Sequence, residues 1–140
     1  MRNANHHIIS RLAAGETVAF FPEGTTSDGH DVLPFHASLF AAAIRDHAID
    51  KPPFPLLPIA IRYDRCGERT LIPAYTGDQS LVDSIIRILS SQGISVRLCV
   101  LEEIAHVPFE MTRHALASRS HEVIRAAIQS APCAAPSILD

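Results

Sequence analysis

The chain has 140 residues, of which 47% are hydrophobic and 19% are charged. This length suits a single domain with a buried core, and the composition excludes disorder for most of the chain. The formal net charge of −3 offers no basic surface, which excludes nucleic acid as a partner. The start of the chain is polar and shows no signal peptide, and the most apolar stretch, residues 54–61, is too short to span a bilayer.

The three cysteines are an odd number, lie far apart and form no Cys-x-x-Cys motif: Cys66, Cys99 and Cys133. This pattern predicts free thiols in a reducing compartment, with the cytoplasm as the default location. Cys99 falls in a predicted strand, where it is expected to be a small buried apolar residue.

The first half of the chain is predicted to form two helices and two strands. Apolar residues on one face predict a helix over residues 3–14. The run at residues 18–21 predicts a strand buried on both faces, as in a parallel sheet. An alanine-rich helix is predicted over residues 37–47, and a second buried strand over residues 56–63, where Pro58 indicates an edge or a bulge.

The second half continues the alternation of strands and helices. A short strand at residues 70–74 is followed by a helix that begins after Asp78 or Ser80. Alternating apolar residues predict a strand over residues 94–101, and a final amphipathic helix is predicted over residues 111–129. This order of elements predicts an α/β fold with a mixed or parallel sheet flanked by helices.

Residues 21–27, with the sequence FPEGTTS, are the most distinctive segment of the chain. An apolar run stops at Pro22, which cannot continue a sheet ladder, and Gly24 permits unusual backbone angles. Three compact hydroxyl side chains follow: Thr25, Thr26 and Ser27. The pattern is typical of a buried strand that ends at a functional loop, and also of a solvated turn between a strand and a helix.

This segment resembles the third sequence block of the glycerolipid acyltransferases, the PlsC-type enzymes that acylate 1-acyl-glycerol-3-phosphate. The block is usually written FPEGTRS, so six of its seven positions match. The sequence LPF follows at residues 33–35, and the proline-containing strand at residues 55–61 resembles the fourth block. The resemblance is strongest over residues 11–63. It implies an incomplete glycerolipid acyltransferase fold, with a partial acyltransferase domain at residues 1–130 and a flexible tail at residues 131–140.

The resemblance also implies a reaction. A fatty acyl group would move from acyl-CoA or acyl-carrier protein to the hydroxyl group of a lysolipid, either 1-acyl-glycerol-3-phosphate or lyso-ornithine lipid, in membrane lipid biosynthesis. The reaction needs no metal and no cofactor besides the acyl thioester as co-substrate. A lipid substrate implies peripheral association with a membrane surface, the cytoplasmic face of the inner membrane, with no transmembrane segment in this chain.

By resemblance, the acceptor-binding residues are Glu23, Gly24, Thr25, Thr26 and Ser27. Backbone N–H groups around Gly24 and the neighbouring hydroxyls suit a phosphate or glycerol headgroup. Glu23 would accept hydrogen bonds from substrate hydroxyls or orient a cation. The alternative is that its carboxylate stabilises the loop by accepting hydrogen bonds from backbone N–H groups.

Thr26 stands where most members of the family carry arginine. An arginine there would bind a phosphate through two hydrogen bonds, whereas threonine supplies no charge. Phosphate affinity must therefore come from another residue, or the acceptor has no phosphate. Members of the family that acylate lyso-ornithine lipid tolerate a non-basic residue at this position, which makes an ornithine-lipid acceptor a serious alternative.

The catalytic HxxxxD motif of the family is absent from this sequence. In that motif the histidine deprotonates the acceptor hydroxyl and the aspartate orients the imidazole ring. None of the eight histidines is followed five residues later by an acidic residue. The chain is therefore expected to hold no catalytic residue and to correspond to the C-terminal portion of an acyltransferase. The alternative is a catalytically inactive remnant or a lipid-binding module.

A metal site and a serine hydrolase are both disfavoured. His6 and His7 project about 100° apart on a helix, and His114 and His121 lie about 10 Å apart, too far for one ion. Ser27 does not stand in a Gly-x-Ser-x-Gly motif.

Three side chains near the loop or the strands have two possible roles. His30 and His36 would contact a headgroup, or they are ordinary residues of a loop and a helix start. Arg62 is a candidate for binding an anionic substrate group, with a surface ion pair as the alternative. The apolar face of residues 37–44 would line an acyl-chain groove or pack in the core.

Overall fold

The computed structural model describes residues 2–44, 54–74, 80–104 and 111–130. Its elements follow in the order α1 (Arg2–Ala13), a 3-10 helix (Ala37–Ala43), β1 (Ile59–Arg65), β2 (Glu68–Arg69), α2 (Leu81–Ser90), β3 (Ile94–Val100) and α3 (Arg113–Gln129). The predicted α/β class is confirmed. The tail predicted at residues 131–140 and the thiol of Cys133 lie outside the described residues.

The described sheet has three strands in the order β2-β1-β3, and both neighbouring pairs are antiparallel. β1 turns into β2 through Cys66 and Gly67, which have positive φ angles of 53° and 87°, as a two-residue hairpin turn requires. All seven residues of β1 pair with β3, beginning with Ile59 opposite Val100. The mixed or parallel sheet predicted from the sequence is therefore not confirmed for these strands. β1 and β2 are antiparallel because a hairpin joins them, and β3, which follows α2 in the chain, pairs antiparallel with β1.

Two predicted strands are not strands in the structure. Residues 18–21 form no ladder, because no described strand lies beside them. Residues 70–74 form a turn, and the hairpin uses the two residues just before them as its second strand. The helix predicted over residues 37–47 begins as expected, but it is a 3-10 helix that ends at Ala43, where Ile44 is extended. The rest of that prediction lies outside the described residues.

The remaining predicted elements are confirmed, with small shifts at their ends. β1 begins after Pro58 and is the central strand with a continuous register, so the edge or bulge predicted from Pro58 is wrong for the described sheet. The proline lies just before the strand, where its carbonyl accepts a hydrogen bond from the N–H of Leu101 at 3.0 Å. Thr112 caps the N-terminus of α3, and its hydroxyl accepts a backbone hydrogen bond at 3.2 Å. Ser80 is the N-cap residue of α2, whereas Asp78 lies outside the described residues.

The core lies between α3 and the 3-10 helix. Leu116 and Ala117 of α3 pack against Phe40 and Ala43 of the 3-10 helix, with Ile104 beside them. Phe40 is 2% exposed and Leu116 is fully buried. Burying a phenylalanine or leucine side chain stabilises a fold by about 1.5–3 kcal/mol. The apolar face of residues 37–44 therefore packs in the core, which is one of the two roles predicted for it.

One face of the sheet is covered by α3. Successive residues of a strand point to opposite faces, so Ala60, Arg62 and Asp64 of β1 share a face. Ala60 is 1% exposed, and α3 packs against β1 on this side. Cys99 of β3 lies opposite Ala60 in the ladder and is also buried, as predicted. Cys66 and Cys99 are both free thiols, which confirms the prediction for these two cysteines.

The opposite face of the sheet carries aliphatic and aromatic side chains and is called the open sheet face below. Its centre consists of Ile59, Ile61, Tyr63, Val96, Leu98 and Val100, and Arg65 and Ile94 lie on the same face at the hairpin end. The apolar side chains of α2 are also largely exposed; Leu89 is 79% exposed and Val82 is 61% exposed. None of the described helices combines the length and the apolar character needed to cross a membrane.

Candidate functional site

Residues 21–34 form a loop, and the residues that flank it on both sides pack against the same core side chain. Phe20 precedes the loop and packs edge-to-face against Phe40, with ring centroids 5.5 Å apart. Phe35 follows the loop and stacks on Phe40 at 6.2 Å. The backbone N–H of His36 also donates to the carbonyl of Pro22 at 2.9 Å. The core thereby positions all five residues that were predicted to bind the acceptor.

The carboxylate of Glu23 closes this loop. Its Oε2 atom accepts a hydrogen bond from the backbone N–H of Leu33 at 2.8 Å, and the side chain is half-buried. Loop stabilisation, one of the two predicted roles of Glu23, is thus visible in the structure. The Oε1 atom forms no hydrogen bond with the described part of the chain, so one carboxylate oxygen is available to a ligand.

Gly24 occupies a position in the loop that only glycine fits. Its φ of +69° lies in the left-handed region, and its N–H donates to the carbonyl of Phe21 at 3.3 Å. A Cβ atom at this position would lie 2.8 Å from Cδ2 and 2.9 Å from Nε2 of His36. The imidazole of His36, one of two histidines predicted as headgroup contacts, therefore lies directly against the loop backbone.

The three hydroxyl side chains of the loop keep much of their hydrogen-bonding capacity. Thr25 and Thr26 are exposed, and the Thr25 hydroxyl is 3.5 Å from the Thr26 carbonyl oxygen, which is long for a hydrogen bond. The Ser27 oxygen accepts a hydrogen bond from the N–H of Gly29 at 3.2 Å, so its own O–H can still donate. The loop can therefore both donate and accept hydrogen bonds at a polar headgroup.

Sequence reasoning missed Arg69 of β2, a cation that lies against this loop. Its guanidinium donates hydrogen bonds to the carbonyls of Gly29 and His30, the latter at 3.3 Å. Within the described ranges, no carboxylate forms an ion pair with Arg69. No local sequence signal marks this contact, because 40 residues separate Arg69 from Gly29. Arg69 thus brings a positive charge to the middle of the loop, at Gly29 and His30.

Arg62, which was a candidate for binding an anionic group, lies instead on the covered face of the sheet. Its Nε donates to Asp64 at 2.7 Å, a second nitrogen donates to the carbonyl of Ser130 at 3.1 Å, and its side chain is only 10% exposed. Asp64 is 1% exposed and also lies 3.4 Å from Arg97. Arg62 therefore forms an ion pair, as its alternative role predicted, but the predicted surface position is wrong because the pair is buried.

α3 holds the far end of the loop. Arg125 forms paired hydrogen bonds with Asp31, with Nε to Oδ1 at 2.8 Å. Nε2 of His121 lies 3.0 Å from the carbonyl oxygen of Val32, and its ring packs edge-on against Phe35. The hydrogen bonds from Arg125 and from the N–H of Val32 hold the pKa of Asp31 below its usual value. The loop is therefore tied to α3 by an ion pair as well as to the core.

The residues that the structure describes contain no cluster of side chains that could form a metal centre. No group of three His, Cys, Asp or Glu side chains there could hold an ion. The His121 ring is engaged with the Val32 carbonyl, and the Asp28 carboxylate accepts a hydrogen bond from the backbone N–H of His30 at 3.0 Å. The chemistry available at the loop is therefore hydrogen bonding from hydroxyl, carboxylate and backbone groups.

Comparison with known proteins identifies the class to which this loop belongs. Residues 1–62 match the Acyltransferase family model, and the matched part includes the whole loop. Over this part the chain is similar to the acyltransferase family. No solved structure matches the chain at a significant level.

The curated relatives are lipid acyltransferases. The chain is 36% identical over 128 residues to a 1-acyl-sn-glycerol-3-phosphate acyltransferase of Neisseria meningitidis, a match that covers 89% of this chain and 46% of that protein. It is 35% identical over 133 residues to a lyso-ornithine lipid O-acyltransferase of Brucella abortus, covering 89% of this chain and 49% of that protein. The chain spans about half the length of the curated relatives it matches.

Proposed function

We propose that the chain is part of an enzyme that transfers a fatty acyl group to the hydroxyl group of a lysolipid. The observation that carries this proposal is the geometry of the 21–34 loop in a segment that matches the acyltransferase family. The loop is closed by one oxygen of Glu23 and offers the other oxygen to a ligand, beside the hydroxyls of Thr25, Thr26 and Ser27. The names of the curated relatives support a lysolipid acceptor.

In this proposal the loop binds the acceptor headgroup. The free Oε1 of Glu23 accepts a hydrogen bond from an acceptor hydroxyl or amine, and the hydroxyls of Thr25 and Ser27 donate to its oxygens. The neutral Thr26 fits a headgroup that carries less negative charge than a phosphate monoester. The acceptor is 1-acyl-glycerol-3-phosphate or lyso-ornithine lipid, and the second fits Thr26 better because an ornithine headgroup has no phosphate.

The reaction is acyl transfer from a thioester, acyl-CoA or acyl-carrier protein, without a metal or further cofactor. The acceptor oxygen attacks the thioester carbonyl, a carbon–oxygen bond forms, the carbon–sulfur bond breaks, and the thiol leaves with a proton. The base that removes the hydroxyl proton is the histidine of an HxxxxD motif, which this chain does not contain. The chain, a partial domain at residues 1–130, therefore supplies the acceptor-binding part of the site.

We place the working site of this enzyme at a membrane surface, the cytoplasmic face of the inner membrane, with peripheral attachment. Both acceptors are membrane lipids, so the loop must reach a headgroup at a bilayer surface. The exposed aliphatic side chains of α2, among them Val82 and Leu89, support contact with lipid.

The second candidate function is a catalytically inactive remnant or a lipid-binding module. The absence of HxxxxD from the 140 residues favours it. Both candidates require the loop to bind lipid, and they differ in whether the bound lysolipid is acylated once the missing dyad is supplied.

Binding of lysophosphatidate and lyso-ornithine lipid to the purified chain tests the proposal. We expect binding of a lysolipid, and we expect no acyl transfer from acyl-CoA or acyl-carrier protein with the chain alone. A Thr26→Arg variant should shift the preference towards lysophosphatidate, because arginine pairs with phosphate. Failure to bind either lysolipid would refute the acceptor site, and turnover by the chain alone would refute the need for an external dyad.

A further inference from the structure

The open sheet face is the largest apolar surface that the described strands leave uncovered. Its side chains come from β1 and β3, which lie directly opposite one another in pairs such as Ile61 with Leu98 and Tyr63 with Val96. Leu98 is 60% exposed, Val96 is 59% exposed and Val100 is 62% exposed. Contiguous apolar patches of this kind mark interaction surfaces more often than free surface.

The same sheet face is apolar without any charge at its centre. The six side chains at its centre include no acidic and no basic residue. Arg65 lies on the same face at the hairpin end of the ladder, where its Nε donates a hydrogen bond to the carbonyl of Gln92 at 3.2 Å. The charged residues of these strands that lie near the middle of the ladder, Arg62, Asp64 and Arg97, are paired with one another on the opposite, covered face. A peripheral site for an anionic membrane normally carries a cluster of lysine or arginine residues beside its apolar residues, and the open sheet face has a single arginine at its end. The composition of the open sheet face therefore suits the interior of a protein better than a lipid surface.

A second place in the fold also lacks a neighbour. Residues 18–21 have the sequence of a strand buried on both faces, but no described strand pairs with them, and Phe21 is 77% exposed. β3 is an edge strand of the described sheet, and an edge of this kind can accept a further strand. Additional polypeptide could cover the apolar face, pair with residues 18–21 and add a strand at the edge of β3.

The length of the relatives identifies that polypeptide. The match to the Neisseria meningitidis relative covers 46% of that protein, so more than half of it lies outside the match. We propose that the open sheet face is the docking surface for this unmatched half of the acyltransferase fold, whether it is joined to the chain or supplied as a separate chain. The proposal rests on the proposed function, because the unmatched half is the part expected to carry HxxxxD.

The experiment uses co-expression of the full 140-residue chain with the half of the Neisseria meningitidis relative that lies outside the match. Light scattering after size-exclusion chromatography reports whether a one-to-one complex forms. The test variant is Leu98→Glu, which places a charge on the open sheet face. The matched control is Ile9→Glu, which makes the same kind of change at an exposed apolar position of α1, where Ile9 is 46% exposed.

We expect a one-to-one complex with the wild-type chain and with Ile9→Glu. Leu98→Glu should weaken the complex at least tenfold, because a charge without a partner is costly to bury at an interface. The isolated Leu98→Glu chain should unfold at the same temperature as the wild-type chain, since Leu98 is already exposed there. That second measurement separates loss of docking from loss of folding.

Three outcomes would overturn the proposal. The first is the absence of a complex with the wild-type chain, or a complex that Leu98→Glu leaves intact. The second is a homodimer of the chain that Leu98→Glu dissolves and that the added half does not displace. The third is binding of the chain alone to phosphatidylglycerol vesicles that Leu98→Glu abolishes.

Acyl transfer by the complex is measured separately. A complex that forms, is weakened by Leu98→Glu and yet transfers no acyl group to either lysolipid would support the docking surface and refute the proposed function. A complex that transfers the acyl group but tolerates Leu98→Glu would do the reverse.

Discussion

The carboxylate of Glu23 accepts a hydrogen bond from the backbone N–H of Leu33 at 2.8 Å and so joins the two arms of the 21–34 loop. A carboxylate has two oxygens, and this contact uses one of them. Glu23 can therefore stabilise the loop and contact a ligand at the same time, which are the two roles that the sequence left open.

Substitutions at Glu23 separate these roles. Glu23→Gln keeps an oxygen that can accept from the N–H of Leu33, so it should unfold at nearly the wild-type urea concentration. Glu23→Ala leaves this N–H without its partner and should lower the free energy of unfolding by about 1–3 kcal/mol. If the charge of the free oxygen contributes to acceptor binding, both variants bind lysolipid more weakly. Equal stability of the wild-type and alanine variants would show that the hydrogen bond does not stabilise the loop.

Gly24→Ala should destabilise the protein and displace His36. The alanine would have to adopt the positive φ of Gly24, and its Cβ would lie 2.8 Å from the His36 ring. A residue in such a strained conformation lowers the free energy of unfolding by about 1–3 kcal/mol. Gly15→Ala is the matched control, because Gly15 also has a positive φ (82°) but a Cβ there would meet nothing within 4 Å. Urea unfolding should show a larger loss for Gly24→Ala, and His36→Ala should recover part of the difference.

The ion pair between Asp31 and Arg125 should make stability depend on acidic pH. The pKa of Asp31 is lowered in the folded protein by the hydrogen bonds from Arg125 and from the Val32 N–H. A lowered folded-state pKa means that the contribution is present above the unfolded pKa, about 3.9, and is lost as the pH falls through the folded pKa. Because both side chains are about half exposed, the effect should be small.

The pKa of Asp31 can be measured by titrating its carboxyl carbon by NMR. It should lie below the usual carboxyl range in the wild-type chain and rise in an Arg125→Ala variant. Glu16→Gln, which removes the exposed pair between Arg11 and Glu16, is the control and should leave the titration of Asp31 unchanged. An unaltered titration in Arg125→Ala would contradict the role of this ion pair.

Asp64 should be the acidic residue whose loss is most damaging. It is 1% exposed and lies between Arg62 at 2.7 Å and Arg97 at 3.4 Å. Asp64→Ala would remove the negative charge from this buried network, which typically costs about 3–5 kcal/mol. Asp31→Asn, at an exposed carboxylate, should cost far less. Chemical denaturation of the two variants compares them directly, and similar losses would show that the Asp64 network is not a significant source of stability.

The three α-helices that the structure describes could be predicted from the sequence because their signals are local, whereas the 3-10 helix at Ala37–Ala43 was predicted as a longer helix. Thr112 is a good N-cap residue and begins α3 within two residues of the predicted start, and the apolar spacing of α1 and α2 reports their extents. The FPEGTTS segment could likewise be recognised as a family motif, because the motif consists of seven adjacent residues. These features need no knowledge of what lies elsewhere in the chain.

Pairing between distant segments could not be read from local patterns. Residues 18–21 have the composition of a buried strand, but a strand exists only where another strand supplies hydrogen bonds. The direction of the sheet follows from β1 meeting β3, and nothing in either strand alone distinguishes parallel from antiparallel pairing. Arg69 reaches Gly29 across 40 residues, so its place beside the loop is a property of the fold.

The attachment of both ends of the loop to Phe40 has a consequence for recognition. Phe20 and Phe35 hold fourteen intervening residues against one aromatic ring, and the conformational entropy of that segment is lost when the protein folds. A headgroup that binds there meets a preorganised receptor and need not order it. Discrimination among headgroups should then depend on shape and hydrogen bonding at a rigid surface, with little adjustment by induced fit.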